Sequence, residues 1–191
     1  MRVLPIDRTL PTRSLAALIG RRLAPWLLSV IVSAFSAPGS AQQFNETELK
    51  AAYLYNFAYF ITWPEPASRD FLFCSYANSP VTGVLARLID GEKVHDRPIR
   101  LLVDPVPEQL HECHIVFVPG QQERVLTTIL EYIRAFPILT VSDIPDFEHR
   151  GGMVRLTTED RRIQPVIHLQ NVTRAKLAVS SKLLRSSRIA E

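Results

Sequence analysis

The chain has 191 residues, a formal net charge of +3 and two cysteines. Residues 1–41 contain five Arg and one Asp, so they contribute +4 and leave about −1 for the remaining 150 residues. The basic character therefore belongs to the first segment, and composition argues against a nucleic-acid-binding domain over residues 42–191. A length of this order is typical of one domain with its own hydrophobic core.

The first segment has the three parts of a secretory signal peptide. Arginines come first, an uncharged and mostly apolar run follows over 23–35, and small residues lead to Ala41. A membrane-spanning helix is the alternative, but such a helix needs roughly 20 apolar residues, and this run contains Pro25. We therefore predict that residues 1–41 are a signal peptide cleaved near Ala41, and that residues 42–191 form a single exported domain.

The first predicted element after this segment is an amphipathic helix. Asn45 is a typical N-cap residue, with Glu48 three positions later. Apolar residues then recur every four positions and predict one core-facing stripe: Leu49, Tyr53, Phe57 and Ile61. The helix is predicted to end before Trp63, because a residue that precedes proline avoids helical backbone angles.

Strands and helices then alternate along the chain. Short apolar runs predict strands at 71–76, 99–103, 114–118, 138–141, 153–157 and 163–169. Helical spacing predicts helices at 81–89 and 125–136, and a final helix from an N-cap at Asn171 through Leu184. Near-continuous apolar strands between helices predict an α/β fold whose largely parallel sheet is covered on both faces. The last two strands predict a hairpin, and therefore a mixed sheet.

Both cysteines, Cys74 and Cys113, follow the predicted signal peptide. An exported chain enters an oxidising compartment, so the pair favours a disulfide over two buried free thiols. Cys113 also belongs to the run His111-Glu-Cys-His114, whose imidazoles and thiolate could ligate zinc. A disulfide would remove the thiolate, and no second ligand pair stands at a recognisable spacing. We therefore predict no metal site.

Catalytic motifs are absent from the sequence. It has no glycine-rich phosphate loop, no dinucleotide fingerprint and no nucleophile elbow, so we predict a protein that is not an enzyme and has no cofactor. Asp104 and Asp143 follow predicted strands, where open α/β sheets place their ligand crevice. Aspartate is also an ordinary turn residue at such positions. The cations of the last predicted helix fit a solvated face.

Several sequence blocks resemble the YfiR-like family of periplasmic proteins. The most specific block runs from Glu48 to Pro64 and contains the pattern Asn-Phe-x-x-Phe-x-x-Trp-Pro. Later blocks that agree, in the same order, lie at 113–118, 138–143, 147–153 and 180–189. The resemblance covers essentially all of residues 42–191.

This resemblance implies a three-layer Rossmann-like sandwich, commonly a homodimer, in the periplasm of a Gram-negative bacterium. It implies a regulator that represses an inner-membrane diguanylate cyclase by binding its periplasmic sensor region, which lowers cyclic di-GMP and biofilm formation. It further implies engagement of an OmpA-type outer-membrane lipoprotein. The alternative function is a periplasmic sensory or solute-binding module that serves a histidine kinase or an uptake receptor.

The resemblance also bears on individual residues. Cys74 and Cys113 match one cysteine pair of the best-known member, whereas a second pair is absent here, where Glu148 and Arg155 stand nearby. Redox control through that loop is therefore not implied for this chain, and no catalytic residue is carried over. The candidate ligand or partner surface consists of Trp63, Asp104, Asp143, Gly151 and Gly152.

Overall fold

The computed structural model describes residues 45–64 and 70–191. The predicted signal peptide and its cleavage point lie outside these residues and stay predictions. None of the helices in the two described ranges has the length and apolar character needed to cross a bilayer.

Helices and strands alternate through most of the described chain. The helices there are α1 (Glu46–Phe60), α2 (Pro80–Leu88), α3 (Leu126–Ile133), α4 (Leu169–Arg174) and α5 (Ser181–Arg185). The strands are β1 (Ile61–Thr62), β2 (Phe71–Ser75), β3 (Lys93–Val94), β4 (Arg97–Val103), β5 (Ile115–Val118), β6 (Leu139–Ser142), β7 (Val154–Glu159), β8 (Arg162–His168), β9 (Ala178–Val179) and β10 (Arg188–Ala190). Turns of 3-10 helix lie at Pro107–Glu112, Gly120–Val125 and Phe147–Arg150.

Eight of these strands form one mixed sheet in the order β10-β8-β7-β6-β5-β2-β4-β3. The neighbours from β4 through β2, β5 and β6 to β7 run parallel. β7 and β8 form the predicted antiparallel hairpin, β10 runs parallel to β8, and β3 runs antiparallel to β4. The predicted α/β fold with a mostly parallel mixed sheet is therefore confirmed.

The alternation of side chains along β5 shows that both faces of the sheet are covered. Ile115 and Phe117 pack in a first core with side chains of α1 and α2. Val116 and Val118 pack in a second core with side chains of α3. Because successive side chains of a strand point to opposite faces, the two cores lie on opposite sides of the sheet. The architecture is the expected three-layer sandwich.

Helix α1 begins where the sequence predicts, and the predicted stripe is buried in part: Phe57 and Ile61 are buried, and Tyr53 packs against the first core. The Asn45 side chain accepts a hydrogen bond from the Glu48 backbone N–H at 3.2 Å, as an N-cap does. Leu49, predicted to be buried, is 40% exposed. The residues that are fully buried are Ala51, Leu54, Phe57 and Ala58. Nearly every residue of the helix after its first turn is apolar, so spacing alone could not select the face.

The prediction of a single final helix over 171–184 is wrong. Helix α4 ends at Arg174, and Lys176 then adopts a φ of 60°, a left-handed conformation that interrupts a helix. The chain next forms β9, which pairs antiparallel with β1. The Ser180 N–H donates to the Phe60 carbonyl at 2.8 Å. Backbone pairing with a sequence-distant strand therefore replaces the middle of the predicted helix.

The caps of the last two helices also differ from the prediction. Asn171 lies inside α4, and the N-cap is His168, whose Nδ1 accepts from the Asn171 N–H at 3.3 Å. Ser180 caps α5 by accepting from the Leu183 N–H at 3.3 Å. Two short helices with separate caps therefore occupy the region where apolar spacing predicts one.

Candidate functional site

The two cysteines form the predicted disulfide. Cys74 lies on β2 and Cys113 directly follows the 3-10 turn Pro107–Glu112, with 5.9 Å between their Cα atoms. Both residues are buried in the second core, at 1% and 4% exposure. The bond therefore ties the segment before β5 to the neighbouring strand β2.

Asp143, at the carboxyl end of β6, is held by two different elements. Its Oδ1 accepts from the Gly120 N–H at 2.7 Å, and its Oδ2 lies 2.8 Å from the Lys50 Nζ of α1. Lys50 also pairs with Glu46 at 2.7 Å. Burial alone would lower the pKa of Lys50, but its bonds to Asp143 and Glu46 outweigh burial and raise that pKa. Asp143 thus joins α1 to the loops after β5 and β6.

Asp104 follows β4 at the same edge of the sheet but does not meet Asp143. It has a left-handed φ of 52°, and its N–H donates to the Ser75 carbonyl at 2.8 Å. Strands β2 and β5 separate β4 from β6, which amounts to three strand spacings, or about 14 Å. The two aspartates therefore do not form one site.

The switch point of the sheet lies between them, where β4 pairs on one side of β2 and β5 on the other. Its carboxyl edge is filled by hydroxyl groups of the chain itself. The Thr82 Oγ1 lies 2.8 Å from both the Ser75 and the Ser79 Oγ, and it donates to the Ala77 carbonyl at 3.1 Å. All three hydroxyl residues are buried. The expected ligand crevice is therefore occupied by internal hydrogen bonds.

Trp63 lies at the opposite edge, beside the amino ends of β2 and β5. Its Nε1 donates to the His114 carbonyl at 3.2 Å, and its ring packs edge-on against Phe71 with 5.1 Å between centroids. These contacts anchor the segment after α1 to the sheet. The indole N–H is therefore already bonded within the protein, while part of the Trp63 residue stays exposed.

His114 is a buried imidazole surrounded by donors. Its Nε2 lies 2.7 Å from Arg97 Nη2, and its Nδ1 faces the Leu72 N–H at 3.2 Å. A second ring proton would find no acceptor there. Burial, and then the charge of Arg97, lower the pKa of His114 to about 4. With Cys113 in a disulfide and His114 facing donors, these two residues are not arranged as zinc ligands.

The two candidate glycines lie in one tight segment, which we call the 146–152 turn. Asp146 and Gly151 both have left-handed φ angles, 55° and 97°. A Cβ atom on Gly152 would lie 2.3 Å from the ring of the buried Phe147. The Gly152 N–H donates to the Phe147 carbonyl at 2.9 Å. This close backbone approach requires glycine at position 152.

A buried ion pair fixes the 146–152 turn to β7. The Nε and Nη2 groups of Arg155 each donate to a carboxylate oxygen of Glu148 at 2.7 Å. Glu148 is 2% exposed. Burial alone would raise the pKa of Glu148, but the bonds from Arg155 outweigh burial and lower that pKa. A bidentate ion pair thus stands near the place where the resemblance would put a second cysteine pair.

A cavity of about 460 Å³ opens between α3, β6, the 146–152 turn and α4. Its apolar floor is formed by Ile133, Met153 and Ala175, each at most 9% exposed. Of the five candidate surface residues, only Gly151 lines this cavity. The five candidate residues therefore lie in separate parts of the fold. The residues that line this cavity form a set that the sequence does not indicate.

That set includes the cations at the rim of the cavity, Arg134, Arg150 and Arg174. They come from the end of α3, the 146–152 turn and the end of α4, so no spacing in the sequence connects them. The sequence predicts a solvated face for Arg174, and the structure places this exposed residue at the rim of the cavity.

Comparison with known proteins identifies one family and several solved structures of similar fold. A family model described as YfiR/HmsC-like matches residues 47–188, and no curated protein matches the chain. A conserved domain protein from Vibrio cholerae O1 biovar El Tor has a similar fold, with 6% identity and a TM-score of 0.50 over 76% of this chain and 60% of that one. An ABC domain in complex with L-Trp, from Streptococcus pneumonia, has 6% identity and a TM-score of 0.49 over 74% and 60%. This chain thus spans 60% of the length of each.

Proposed function

The chain belongs to the YfiR/HmsC-like family, and on that basis we propose that it represses an inner-membrane diguanylate cyclase by binding the periplasmic sensor region of that enzyme. The family match over residues 47–188 is the observation that carries the proposal. The family is regulatory rather than catalytic and acts in the periplasm. The expected result of repression is less cyclic di-GMP and less biofilm.

The compartment determines how such a regulator must act. A periplasmic protein cannot reach a cytoplasmic active site, so control has to pass through an external domain of the membrane enzyme. Repression requires that the regulator bind the inactive state of the cyclase more tightly than the active state, because equal affinity for both states shifts nothing. The proposed partners are the cyclase sensor region and an OmpA-type outer-membrane lipoprotein, with a homodimer as the proposed binding form.

A deletion strain tests the regulatory role. Removing the gene should raise cyclic di-GMP, measured by mass spectrometry of cell extracts, and should increase surface attachment. The full-length gene should reverse both effects. A gene for residues 42–191 alone should fail to do so, and the same residues behind an unrelated signal peptide should succeed. Unchanged cyclic di-GMP in the deletion strain, while the gene is expressed in the parent, would instead favour the sensory or solute-binding alternative.

The partner and the binding form require a separate measurement. Purified protein and the isolated periplasmic domain of the cyclase should elute together in size-exclusion chromatography with light scattering. The mass of the regulator alone should equal two chains. Separate elution of the two proteins at micromolar concentration would contradict direct binding even if the deletion strain has the expected phenotype.

A further inference from the structure

We propose that the cavity between α3, β6, the 146–152 turn and α4 binds a small organic monoanion, a carboxylate attached to an apolar body. A volume of about 460 Å³ lies within the usual range for sites that enclose a small molecule. This inference goes beyond the proposed function and does not depend on it, since the site would bind its ligand in the purified protein without any partner.

The floor of the cavity supplies apolar contact for the body of the ligand. Ile133 comes from α3, Met153 precedes β7 and Ala175 follows α4, so three elements converge there. Leu130 adds a partly buried side chain from the same face of α3. Apolar surface that such a ligand removes from water stabilises the complex in proportion to its area. A small inorganic ion would gain nothing from this floor.

The rim supplies positive charge that nearby carboxylates compensate only in part. Arg150 pairs with Glu123, but within the described residues neither Arg134 nor Arg174 forms an ion pair. Glu131 is the carboxylate that lines the cavity in the described part of the chain. Three arginines against two glutamates leave a net charge of +1, which favours a single negative charge on the ligand.

Arg174 is the rim cation best placed to receive a carboxylate. Its Nη1 donates to the Asn171 Oδ1 at 3.0 Å, and within the described residues its other N–H groups have no partner. Asn171 is buried and donates from Nδ2 to the Gly152 carbonyl at 2.8 Å. The guanidinium is thus oriented by a side chain that is itself fixed to the cavity wall. A planar guanidinium with free donors is suited to bidentate recognition of a carboxylate.

The walls of the cavity are already fixed in the absence of a ligand. The buried Thr140 side chain accepts from the Met153 N–H at 2.9 Å, which joins β6 to the segment before β7. The ion pair between Glu148 and Arg155 holds the 146–152 turn on the other side. A site whose walls are held by internal bonds loses little conformational entropy when it binds, so even a small ligand can bind measurably.

Calorimetry on the protein purified from the exported fraction tests the inference with three probes. Benzoate has an apolar body and one negative charge, benzamidine has the same shape with a positive charge, and inorganic phosphate has charge without an apolar body. We expect benzoate to bind with one site per chain in the millimolar range or tighter, and the other two probes to give no saturable heat. Equal binding of benzamidine or of phosphate, or no benzoate binding, would overturn the proposal.

Matched variants then locate the site. Arg174→Ala and Arg134→Ala should each weaken benzoate binding by about tenfold or more, because each removes a charged hydrogen-bond donor. Arg185→Ala removes an exposed cation of α5 outside the cavity and should leave affinity unchanged. Thr127→Trp, which fills the mouth of the cavity without changing charge, should abolish binding.

The melting temperature of each variant, measured without ligand, shows whether the variant is folded. If one of the two arginine variants melts at a lower temperature than the wild type, the other is compared with Arg185→Ala. Equal weakening by Arg185→Ala and Arg174→Ala would show that benzoate responds only to overall charge. That result would overturn the proposed site whatever the outcome of the cyclase experiments.

Discussion

Two segments of this protein are fixed to the second core by ties of opposite chemistry. The segment before β5 is tied to β2 by the covalent bond between Cys74 and Cys113. The 146–152 turn is tied to β7 by the ion pair between Glu148 and Arg155. The first tie depends on redox conditions and the second depends on charge. The comparison shows that segments can be attached to the same core by a covalent bond or by an ion pair. The two attachments should break under different conditions.

Removing the covalent tie should have the largest effect. The cysteines are separated by 39 positions, and a closed loop of about 40 residues contributes roughly 4 kcal/mol to the free energy of unfolding. The double variant Cys74→Ala/Cys113→Ala should therefore lose about that amount in a urea titration. Reductant should lower the melting temperature of the wild type and leave that of the double variant unchanged. Two alkylated cysteines in non-reduced protein would contradict the bond itself.

Breaking the ionic tie should cost somewhat less. Arg155→Met should lower the free energy of unfolding by about 3 kcal/mol, because it leaves the Glu148 carboxylate buried without its partner. That is the lower end of the range for such pairs, since 20% of the Arg155 side chain is exposed. The double variant Glu148→Gln/Arg155→Met should recover most of the loss. If the single and double variants are equally destabilised in urea, the buried charge is not the cause.

Low pH should affect the two regions differently, because His114, which is next to Cys113, and Glu148 take up protons over different pH ranges. Its pKa is about 4 in the folded protein and about 6.5 in an unfolded chain, so the unfolded chain binds more protons between these values. Stability from this residue is therefore present above pH 6.5 and is lost as pH falls toward 4, by up to roughly 3 kcal/mol. The Glu148 pKa is also lowered, but from a carboxylate's ordinary value of about 4.5, so its contribution is lost only as pH falls below about 4.5.

Urea titrations at several pH values test whether the His114 contribution to stability is lost at a higher pH than the Glu148 contribution. The wild type should lose stability between pH 6.5 and 5, where carboxylates contribute little, and His114→Gln should remove most of that slope. His111→Gln is the matched control, because His111 is exposed beside the same disulfide. The same slope in His114→Gln and in the wild type would assign the pH dependence to other groups.

Two glycine variants test the packing of the 146–152 turn, and their expected effects on stability are the smallest of this series. Gly152→Ala should destabilise by about 2 kcal/mol, because the added Cβ overlaps the Phe147 ring and the 146–152 turn has to move. Gly83→Ala should stabilise by about 0.5 to 1 kcal/mol, because Gly83 lies in α2 with open space around its Cβ position. Thermal melts of both variants measure the difference. Equal effects would contradict the close packing of this turn.

The sequence predicts those features that depend on short-range contacts. The Asn45 cap, the end of α1 before Trp63 and the hairpin of β7 and β8 all follow from residues within a few positions of each other. Four short strands, β1, β3, β9 and β10, are not predicted. Two or three residues show no periodicity, and such strands form only where a partner edge is already present.

The candidate surface residues show which features cannot be predicted from short-range contacts. Asp104 and Asp143 lie at the same edge of the sheet, as their positions after strands predict, because parallel strands have their carboxyl ends at one edge. Whether a crevice exists between them depends on side chains such as Ser75 and Thr82, which meet across the switch point. The three arginines of the cavity rim come from the end of α3, the 146–152 turn and the end of α4, so only the tertiary structure brings them to one cavity.

The sequence alone thus determined the alternation of strands and helices, the α/β fold, the choice of the two cysteines for a disulfide and the resemblance to one family. These features depend on residue type, local spacing and hydrophobic period. The tertiary structure alone decided which face of α1 is buried, where the last helix breaks, how His114 is held neutral and where a cavity with a cationic rim forms. Each of these depends on burial and hydrogen bonding between residues far apart in the chain, and no local pattern encodes them.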